Sequence, residues 1–523
     1  MDTLREHKGL LGLLLTAFLI HSTVAVIPPL NGDEATFWEW SRHLALGYYA
    51  HPPMTAWLVA LPTKLFGVYK YNVRLSAILL HLGTICLVYY LAWEILRSKR
   101  SALFSAILYA VLPLSALLGT AMSTDAALVF FFAAAVVCTR KAVIEHRSKF
   151  WYGVGICGGG MLLSKFMAVL FFPGLFLFLL INRRYRKQFL KKEPYLGSLI
   201  AALIFSPFLY WNYKNDWLTF QFNLYMRHRE EGYDPVKPLK YIGGQLFAGS
   251  PLVFVLLLVA IVVFLIRFHR TPGENQRQRS DSLLLLSYFA AFPLLYFAGT
   301  SLGVEVAPHW PAIVYVPGAV LLVAWLEGKR SQTASKSLKN SLLYWSSVLT
   351  ALLISATLYT LVLFPKILPD KMIYTEKVGD KAPVLSHYFG WKEIGKHIDT
   401  LIQEWEKRPE GLFMTSKDYS LASMLGFYTP SHPQFYLMNV TKEVIHGKSY
   451  LLWEKGNKAP GANTIYVGDE PDSYQSRIPD FFKETRQLEP FVIRDSEGRI
   501  LRVFYITIGL HYLGGEPDNL SLW

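Results

Sequence analysis

Cysteine is scarce in this chain of 523 residues, and its three copies, Cys86, Cys138 and Cys157, all lie in or beside apolar runs. Cysteines placed this way give no disulfide framework and no metal-ligand spacing. Charge is scarce as well, since Asp, Glu, Lys and Arg make up 17% of the residues while 52% are hydrophobic. So little charge on so much apolar sequence excludes an ordinary soluble domain and is typical of a polytopic membrane protein.

Several motifs of soluble enzymes are missing too. The chain shows no Rossmann-type fingerprint, no solenoid repeat and no low-complexity tract, and its C-terminal part shows no glycine-rich phosphate loop or nucleophile motif. Acidic residues are outnumbered, at 38 against 52 lysines and arginines, which gives a net charge of +14. The basic residues stand in short clusters between apolar runs, which indicates membrane topology and no nucleic-acid partner.

Apolar runs long enough to cross a membrane occur about eleven times, each near the ~20 residues that a bilayer requires. They lie at about 9–30, 74–96, 102–118, 124–139, 150–165, 166–182, 195–211, 245–267, 281–299, 310–326 and 341–364. The first run ends in Ile27-Pro28-Pro29 and not in a small-residue cleavage site, so we predict an uncleaved span and no signal peptide. The fold class expected is an all-α polytopic membrane bundle.

The basic clusters orient these spans. They lie at 97–100, 140–149, 183–192, 267–279 and 329–339. An N-terminus inside the cell places every one of them on the cytoplasmic side, as the positive-inside rule requires. The outer face then receives the loop 31–73, the turns with Asp125 and Lys165, the loop 212–244, the turn 300–309 and the tail after residue 364.

The tail differs from the rest in composition and predicts a second domain. Strand patterns at 411–416, 432–438, 463–470 and 502–510, with a helix at 420–428, indicate a small external α/β domain. We therefore predict a transmembrane catalytic domain at 1–365, which includes the first external loop 31–73, and a soluble domain at 366–523. An accessory role is expected for the soluble domain.

The first external loop combines carboxylates with aromatic surface. It opens with the adjacent Asp33 and Glu34, and it contains Tyr48, Tyr49 and a His-Pro-Pro turn at His51. A carboxylate held at the membrane surface can deprotonate an acceptor hydroxyl. The alternative is an acidic pair that caps a helix, and the aromatics alone would suit an interfacial belt. The segments 34–46 and 54–66 have the pattern of amphipathic helices lying in the interface.

Other ionisable residues at outward ends of spans could complete a site. Asp125, in the turn MSTDAAL, either caps the following helix or meets Asp33 at the outer surface. A cationic set could bind a phosphate leaving group, although Arg74 could also snorkel and His309 could anchor a span end. Its members are His51, Arg74, Lys165, His228, Arg229 and His309.

These stretches resemble the PMT-like bacterial glycosyltransferases, which include aminoarabinose transferases that modify lipid A and are related to protein O-mannosyltransferases. The most specific match is DEATFWEWSRHLALGYYAHPPMTAWL at 33–58, followed by VRL at 73–75. Further matches in the family's order are STDAALVFF (123–131), LLSKFMAVLFFPGLFLFLL (162–180), WLTFQFNLYMRHR (217–229), EVAPHWPAIVY (305–315) and YSLASMLGFYTP (419–430).

The resemblance implies a GT-C fold with about eleven transmembrane helices, a catalytic first external loop and a periplasmic C-terminal domain, in the bacterial inner membrane. It implies a polyprenyl-phosphate sugar donor, a lipid or glycan acceptor such as lipid A, and an inverting displacement. Asp33 would be the catalytic carboxylate, Glu34 its motif neighbour and Asp125 a second acid, while Tyr48, Tyr49 and the cationic set would bind donor phosphate or substrate.

Some questions stay open at this point. Lipid A-modifying relatives have a Glu-Lys pair before the prolines of the loop, where this chain has Ala50-His51. No cofactor is therefore predicted with certainty, and a divalent metal and its ligands are left open. Alternatives to the envelope glycosyltransferase are a protein O-glycosyltransferase, a lipid or sugar transporter and a structural assembly subunit; inverted repeats would favour the transporter.

Overall fold

The structure is a computed structural model that describes residues 7–226, 232–267, 276–328, 334–438, 449–453, 458–471 and 478–514. Contacts within the chain define two compact units. Unit 1 comprises Met1–Ala25, His51–Gly67 and Arg74–Tyr359, and unit 2 comprises Val26–Ala50, Val68–Val73 and Thr360–Trp523. The first external loop is thus shared between the units, and the predicted domain boundary at 365/366 stays a prediction.

Helices dominate the chain as far as residue 363. They are α1 (Lys8–Val26), α2 (Gly32–Arg42), α3 (Met54–Phe66), α4 (Lys70–Leu96), α5 (Lys99–Val111), α6 (Pro113–Leu118), α7 (Thr124–Val143), α8 (Phe150–Ser164), α9 (Phe171–Ile181), α10 (Lys192–Lys214), α11 (Leu218–Gln221), α12 (Val236–Ala248), α13 (Pro251–Arg267), α14 (Arg277–Thr300), α15 (Tyr315–Gly328) and α16 (Ala334–Leu363). Short 3₁₀ turns at Phe166–Leu170, Arg186–Leu190 and Ala312–Val314 and a π turn at Phe222–Met226 connect some of them.

Among the described residues, six helices are long and apolar enough to cross a membrane, namely α1, α4, α7, α10, α14 and the Ser341–Leu363 part of α16. The pair α12–α13, bent by 103°, could form a seventh span. Shorter apolar helices lie at Met54–Phe66, Phe150–Ser164, Phe166–Ile181 and Ala312–Gly328. Each predicted span corresponds to a described helix or to a pair of consecutive helices, so the prediction of a polytopic helical bundle is confirmed.

Glycines allow two helices of unit 1 to touch along their backbones. A Cβ atom added at Gly155 of α8 would lie 2.3 Å from the carbonyl oxygen of Gly197 in α10. A Cβ added at Gly197 would lie 2.4 Å from the carbonyl oxygen of Trp151. Small residues at such crossings are how apolar helices associate where no hydrophobic driving force separates them from lipid.

Ion pairs collect at one end of the helices of unit 1. Arg140, at the end of α7, is buried and pairs with Glu94 at 3.6 Å and with Glu145, and its Nε donates to Ser282 at 3.2 Å. Asp281, at the start of α14, accepts hydrogen bonds from Arg184 at 2.6 Å and from the Tyr185 hydroxyl. These residues come from segments predicted to lie on the cytoplasmic side, and the structure brings those segments to one end.

Unit 2 contains the predicted α/β domain. Its elements after residue 365 are α17 (Trp391–Trp405), β1 (Leu412–Ser416), α18 (Tyr419–Tyr428), β2 (Phe435–Leu437), α19 (Ser449–Trp453), β3 (Asn463–Gly468), β4 (Phe482–Gln487), β5 (Phe491–Arg494) and β6 (Ile500–Tyr512). The sheet has the order β2-β1-β3-β6-β4, and β5 also pairs with β6. Strand β1 is parallel to β2 and β3, whereas β6 is antiparallel to its neighbours.

The four predicted strands and the predicted helix of the tail are confirmed, while α17, α19, β4 and β5 were missed. Strand β6 is almost continuously buried, as its run of β-branched and aromatic residues predicts. Strand β4, with the sequence FKETRQ, is mostly exposed and so carries little apolar signal.

A buried ionic cluster lies where β1 and β3 end. Arg502 of β6 is 1% exposed, donates to Asp469 at 2.9 Å and lies 4.0 Å from the ring centroid of Trp391. Lys417 pairs with the other oxygen of Asp469 at 3.0 Å. Burial alone would raise the pKa of Asp469, but Arg502 and Lys417 lower it to about 2. The carboxylate is therefore ionised at all physiological pH values.

Replacing Asp469 by Asn should destabilise unit 2, because Arg502 would keep its charge in a buried place without its partner. We expect a loss of about 3–5 kcal/mol in the free energy of unfolding of the full chain in detergent at neutral pH. Since the folded pKa of Asp469 lies near 2 and below its unfolded value, the difference from wild type should shrink as the pH falls from about 5 toward 2.

The matched control is Asp370→Asn. Asp370 pairs with Arg499 at 3.4 Å, but this pair is at the surface, and such pairs contribute little. Equal effects of the two substitutions would contradict the structural importance of the buried pair.

Candidate functional site

A buried ion pair marks the end of unit 1 that lies away from the Arg140 cluster. Asp125, 2% exposed, accepts a hydrogen bond at Oδ2 from Nζ of Lys165 at 2.6 Å. Nε2 of His309, whose side chain is 44% exposed, lies 3.8 Å from the same oxygen. The other oxygen, Oδ1, is buried and accepts no hydrogen bond within the described part of the chain. The structure thus brings together three of the sequence-predicted site residues.

Local sequence explains how Asp125 and Lys165 reach each other. Ser123, and not Asp125, caps α7 by accepting from the Ala126 N–H, so the Asp125 carboxylate is available to Lys165. The backbone of Lys165 is extended, with φ −160° and ψ 147°. It separates α8 from the following 3₁₀ turn and so ends the helix. Its side chain can therefore point away from α8 and reach Asp125 in α7.

Helix α12 holds the segment that carries His309. Lys237 donates to the carbonyl of Gly303 at 2.9 Å, and the side-chain amide of Gln245 donates to the carbonyl of Pro308 at 3.0 Å. Lys240 pairs with Glu305 at 2.9 Å at the surface. The turn 300–309, predicted to face outward and to carry the cation His309, is therefore held by hydrogen bonds from α12, and its His309 lies beside the Asp125–Lys165 pair.

Asp33 and Glu34 lie in the first turn of α2, within unit 2. Asn31 accepts from the Glu34 N–H at 2.9 Å, and the Glu34 carboxylate accepts from the Asn31 N–H at 3.1 Å. This capping box satisfies two backbone donors reciprocally, and it leaves Glu34 fully buried while Asp33 is exposed. The capping alternative considered for the acidic pair therefore applies to Glu34, and a catalytic role for either carboxylate stays a prediction.

Tyr48 and Tyr49 belong to the core of the loop. The Tyr48 ring stacks on Trp40 with centroids 4.5 Å apart, and its hydroxyl lies 2.9 Å from the Trp40 carbonyl oxygen. Burial raises the pKa of Tyr48, and burial raises that of Tyr49 to about 12. The Tyr49 N–H donates to Ser449 Oγ at 3.3 Å. Both rings hold the loop together, and a contact with substrate remains a prediction for each.

The remaining predicted cations differ in their surroundings. Arg74 is buried in α4 and donates from Nη1 to the carbonyl of Ala25 at 2.8 Å, near the C-terminus of α1, where a cation is favoured. His51 is half-buried just before α3. His228 and Arg229 lie outside the described residues.

Sequence reasoning missed one buried carboxylate of the loop. Glu39 is 1% exposed and pairs with Arg42 at 3.1 Å and with His43 at 3.3 Å. The i,i+3 and i,i+4 spacing of these residues on a predicted helix was the available signal.

Within the described residues, no three His, Cys, Asp or Glu side chains are grouped as the ligands of a metal ion would be.

Comparisons with known proteins agree with the family resemblance. Residues 50–211 match the sequence profile of the family described as dolichyl-phosphate-mannose-protein mannosyltransferase. A lipid A galacturonosyltransferase from Rhizobium johnstonii is 27% identical over 301 residues, which are 56% of this chain and 60% of that protein. An undecaprenyl phosphate-alpha-4-amino-4-deoxy-L-arabinose arabinosyl transferase from Pectobacterium carotovorum is 24% identical over 355 residues, which are 61% of this chain and 60% of that protein.

The chain thus matches about 60% of the length of these curated relatives. A solved structure aligns with a larger share of this chain. The crystal structure of ArnT from Cupriavidus metallidurans bound to undecaprenyl phosphate aligns with a TM-score of 0.59 at 15% identity, over 95% of this chain and 97% of that one. At this identity the match shows the fold, which is the GT-C fold expected.

Removing one member of the buried pair should cost more than removing both. Lys165→Met leaves the Asp125 carboxylate buried without its cation, and we expect a loss of about 3–5 kcal/mol in the free energy of unfolding. The double variant Lys165→Met/Asp125→Asn should recover most of that loss. Chemical unfolding in detergent measures both.

Lys240→Met is the control, because Lys240 and its partner Glu305 are exposed and its loss should cause no measurable change in stability. Additive effects of the two substitutions in the Lys165/Asp125 double variant would contradict a buried, energetically coupled pair.

Proposed function

We propose that this chain, a member of the PMT-like GT-C glycosyltransferases, is an integral membrane enzyme that moves a sugar from a polyprenyl-phosphate donor to an acceptor hydroxyl. The donor class is supported by its relatives: the family profile, the Pectobacterium enzyme and the ligand of the Cupriavidus structure are all named for a polyprenyl phosphate.

The observation that carries the proposal is the buried Asp125–Lys165 pair with His309 beside it. Ionisable groups at the end of a membrane bundle are costly, and they are typical of sites that bind charged substrates. The ammonium of Lys165 and the imidazole of His309 are proposed to bind the phosphate. His51, Arg74, His228 and Arg229 are proposed to contribute to its binding.

The proposed reaction is one displacement at the anomeric carbon. Asp33 removes the proton of the acceptor hydroxyl, whose oxygen forms the new bond to that carbon. The bond from the anomeric carbon to the phosphate oxygen breaks, and the lipid phosphate leaves with the electron pair. Cations stabilise the negative charge that develops on the leaving phosphate, so a general acid is not required. One displacement inverts the configuration of the sugar.

We further propose that the reaction takes place at the periplasmic face of the bacterial inner membrane. The positive-inside rule supports this orientation, since it assigns the Arg140 end of the bundle to the cytoplasm. Lipid A or another envelope glycolipid or glycan is the proposed acceptor. The name of the Rhizobium relative, which is a lipid A galacturonosyltransferase, supports this choice.

Asp33→Asn should reduce transfer by roughly 10²–10⁴-fold, the usual contribution of a general base, because the amide cannot accept the acceptor proton. Purified protein is incubated with a radiolabelled polyprenyl-phosphate sugar and lipid A, and labelled product is counted. Since Asp33 is exposed and the capping box of α2 is formed by Asn31 and Glu34, the thermal unfolding of the variant should match that of wild type.

Asp480→Asn is the matched control, because Asp480 is an exposed carboxylate in the 3₁₀ turn before β4. Wild-type transfer by the Asp33 variant would contradict the assignment of the base. Label that crosses a vesicle membrane without joining any acceptor would instead identify a transporter, and label on a protein would identify a protein O-glycosyltransferase.

A further inference from the structure

Helix α2, which carries Asp33, rests directly on helix α18 of the C-terminal domain. A Cβ atom added at Gly32, the first residue of α2, would lie 1.8 Å from Ser420 Oγ and 2.9 Å from Ser420 Cβ. The crowding atoms belong to the Ser420 side chain, since the Cα of Ser420 would lie 3.7 Å away. A methyl group at position 32 therefore does not fit unless Ser420 moves or loses its side chain. Both helices belong to unit 2.

The contact continues along both helices. The Thr36 and Ser423 hydroxyl oxygens are 3.3 Å apart, and the Trp38 ring meets Phe427 edge to face with centroids 5.1 Å apart. Three hydrogen bonds flank this face: Leu30 N–H to the Tyr428 hydroxyl at 2.9 Å, Arg42 to the His432 carbonyl at 3.0 Å, and His43 with Gln434 at 2.9 Å. The helix is therefore fixed along its whole length and not at one point.

Helix α18 is itself held firmly. Asp418 caps its N-terminus by accepting from the Leu421 N–H at 2.9 Å. At its C-terminus, a Cβ added at Gly395 of α17 would lie 2.2 Å from the Tyr428 carbonyl oxygen. The helix connects β1 to β2, two parallel strands of the sheet. It is thus a rigid platform of the kind that can hold a reactive group in place.

We propose that the C-terminal domain positions the catalytic carboxylate: α18 is the platform for α2, and the close contact of Gly32 with Ser420 sets the place of Asp33. This inference rests on the proposed function, and it replaces the accessory role expected from the sequence. Ser420 is a positioning residue, since it acts through α2 and touches no reacting atom. A reactive group displaced by about 1 Å can lose roughly 100-fold in rate.

The test enlarges the residue on one side of the Gly32–Ser420 contact and then reduces the residue on the other side. Gly32→Ala forces α2 and α18 apart, and we expect kcat for transfer to fall by about 100-fold with the KM for the polyprenyl-phosphate sugar unchanged. The double variant Gly32→Ala/Ser420→Gly makes room for the new methyl group and should regain most of kcat. Alanine favours helix more than glycine does, so loss of the helix cannot explain the defect.

A control variant and a second measurement accompany the kinetics. Gly12→Ala in α1 is the control, because no atom lies within 4 Å of an added Cβ there, and it should transfer like wild type. A disulfide between Thr36→Cys and Ser423→Cys, in the full chain with Cys86, Cys138 and Cys157 replaced by Ala, reports the contact without any substrate. Its rate of formation should fall with Gly32→Ala and recover with Ser420→Gly.

The results separate the two proposals. If Gly32→Ala slows the disulfide but leaves kcat at the wild-type value, the positioning inference is overturned and the proposed function stands. A defect in kcat that Ser420→Gly does not recover also overturns it, because the close contact would then not be its cause. If wild type itself transfers no sugar, the proposed function fails and takes the positioning role with it, whereas the disulfide still reports the contact.

Discussion

A charge buried among apolar helices has to be paired, and this requirement governs both ends of unit 1. Apolar side chains pack in many registers, and lipid competes with them on equal terms. Buried ion pairs restrict the packing to registers in which both charges meet, because an unpaired buried charge costs several kcal/mol. At one end Arg140 and Asp281 join segments that are 142 and 96 positions apart in the chain, and at the other Asp125 joins Lys165. The pair at this second end joins α7 to the residue that follows α8, and it lies beside His309.

Unit 2 has a different structural requirement, which is to stabilise the short helix α2. An isolated helix of eleven residues, the length of α2, is marginal in water. The capping box stabilises its first turn, and further contacts come from residues much later in the chain: the Thr36–Ser423 contact spans 387 positions and the Arg42–His432 hydrogen bond spans 390. The C-terminal domain therefore supplies the tertiary packing that turns a motif in a loop into a fixed element.

Much of this could be predicted from the sequence, because the responsible signals are local. Long apolar runs predict spans, and clusters of arginine and lysine predict topology. The β-branched and aromatic residues of β6 predict a strand. Topology predicted that Asp125 and Lys165 both lie at outward ends of spans, but it did not predict their direct hydrogen bond. The packing of α2 on α18 could not be predicted, because no local sequence signal indicates that Gly32 contacts Ser420, which lies far along the chain. Strand β4 was missed because it is an exposed edge strand, and such a strand does not require an apolar sequence pattern.

The three predicted acids differ in exposure, which decides how easily an acceptor hydroxyl can reach them. A general base has to lie within hydrogen-bond reach of the proton that it removes. The Glu34 carboxylate is buried and accepts from the backbone of its own helix cap, and Asp125 is buried and accepts from Lys165. Asp33 is exposed, on a helix that the C-terminal domain holds in place. Removing Asp125 should therefore disturb the bundle and the phosphate site together, whereas removing Asp33 should affect the chemistry and leave the fold intact.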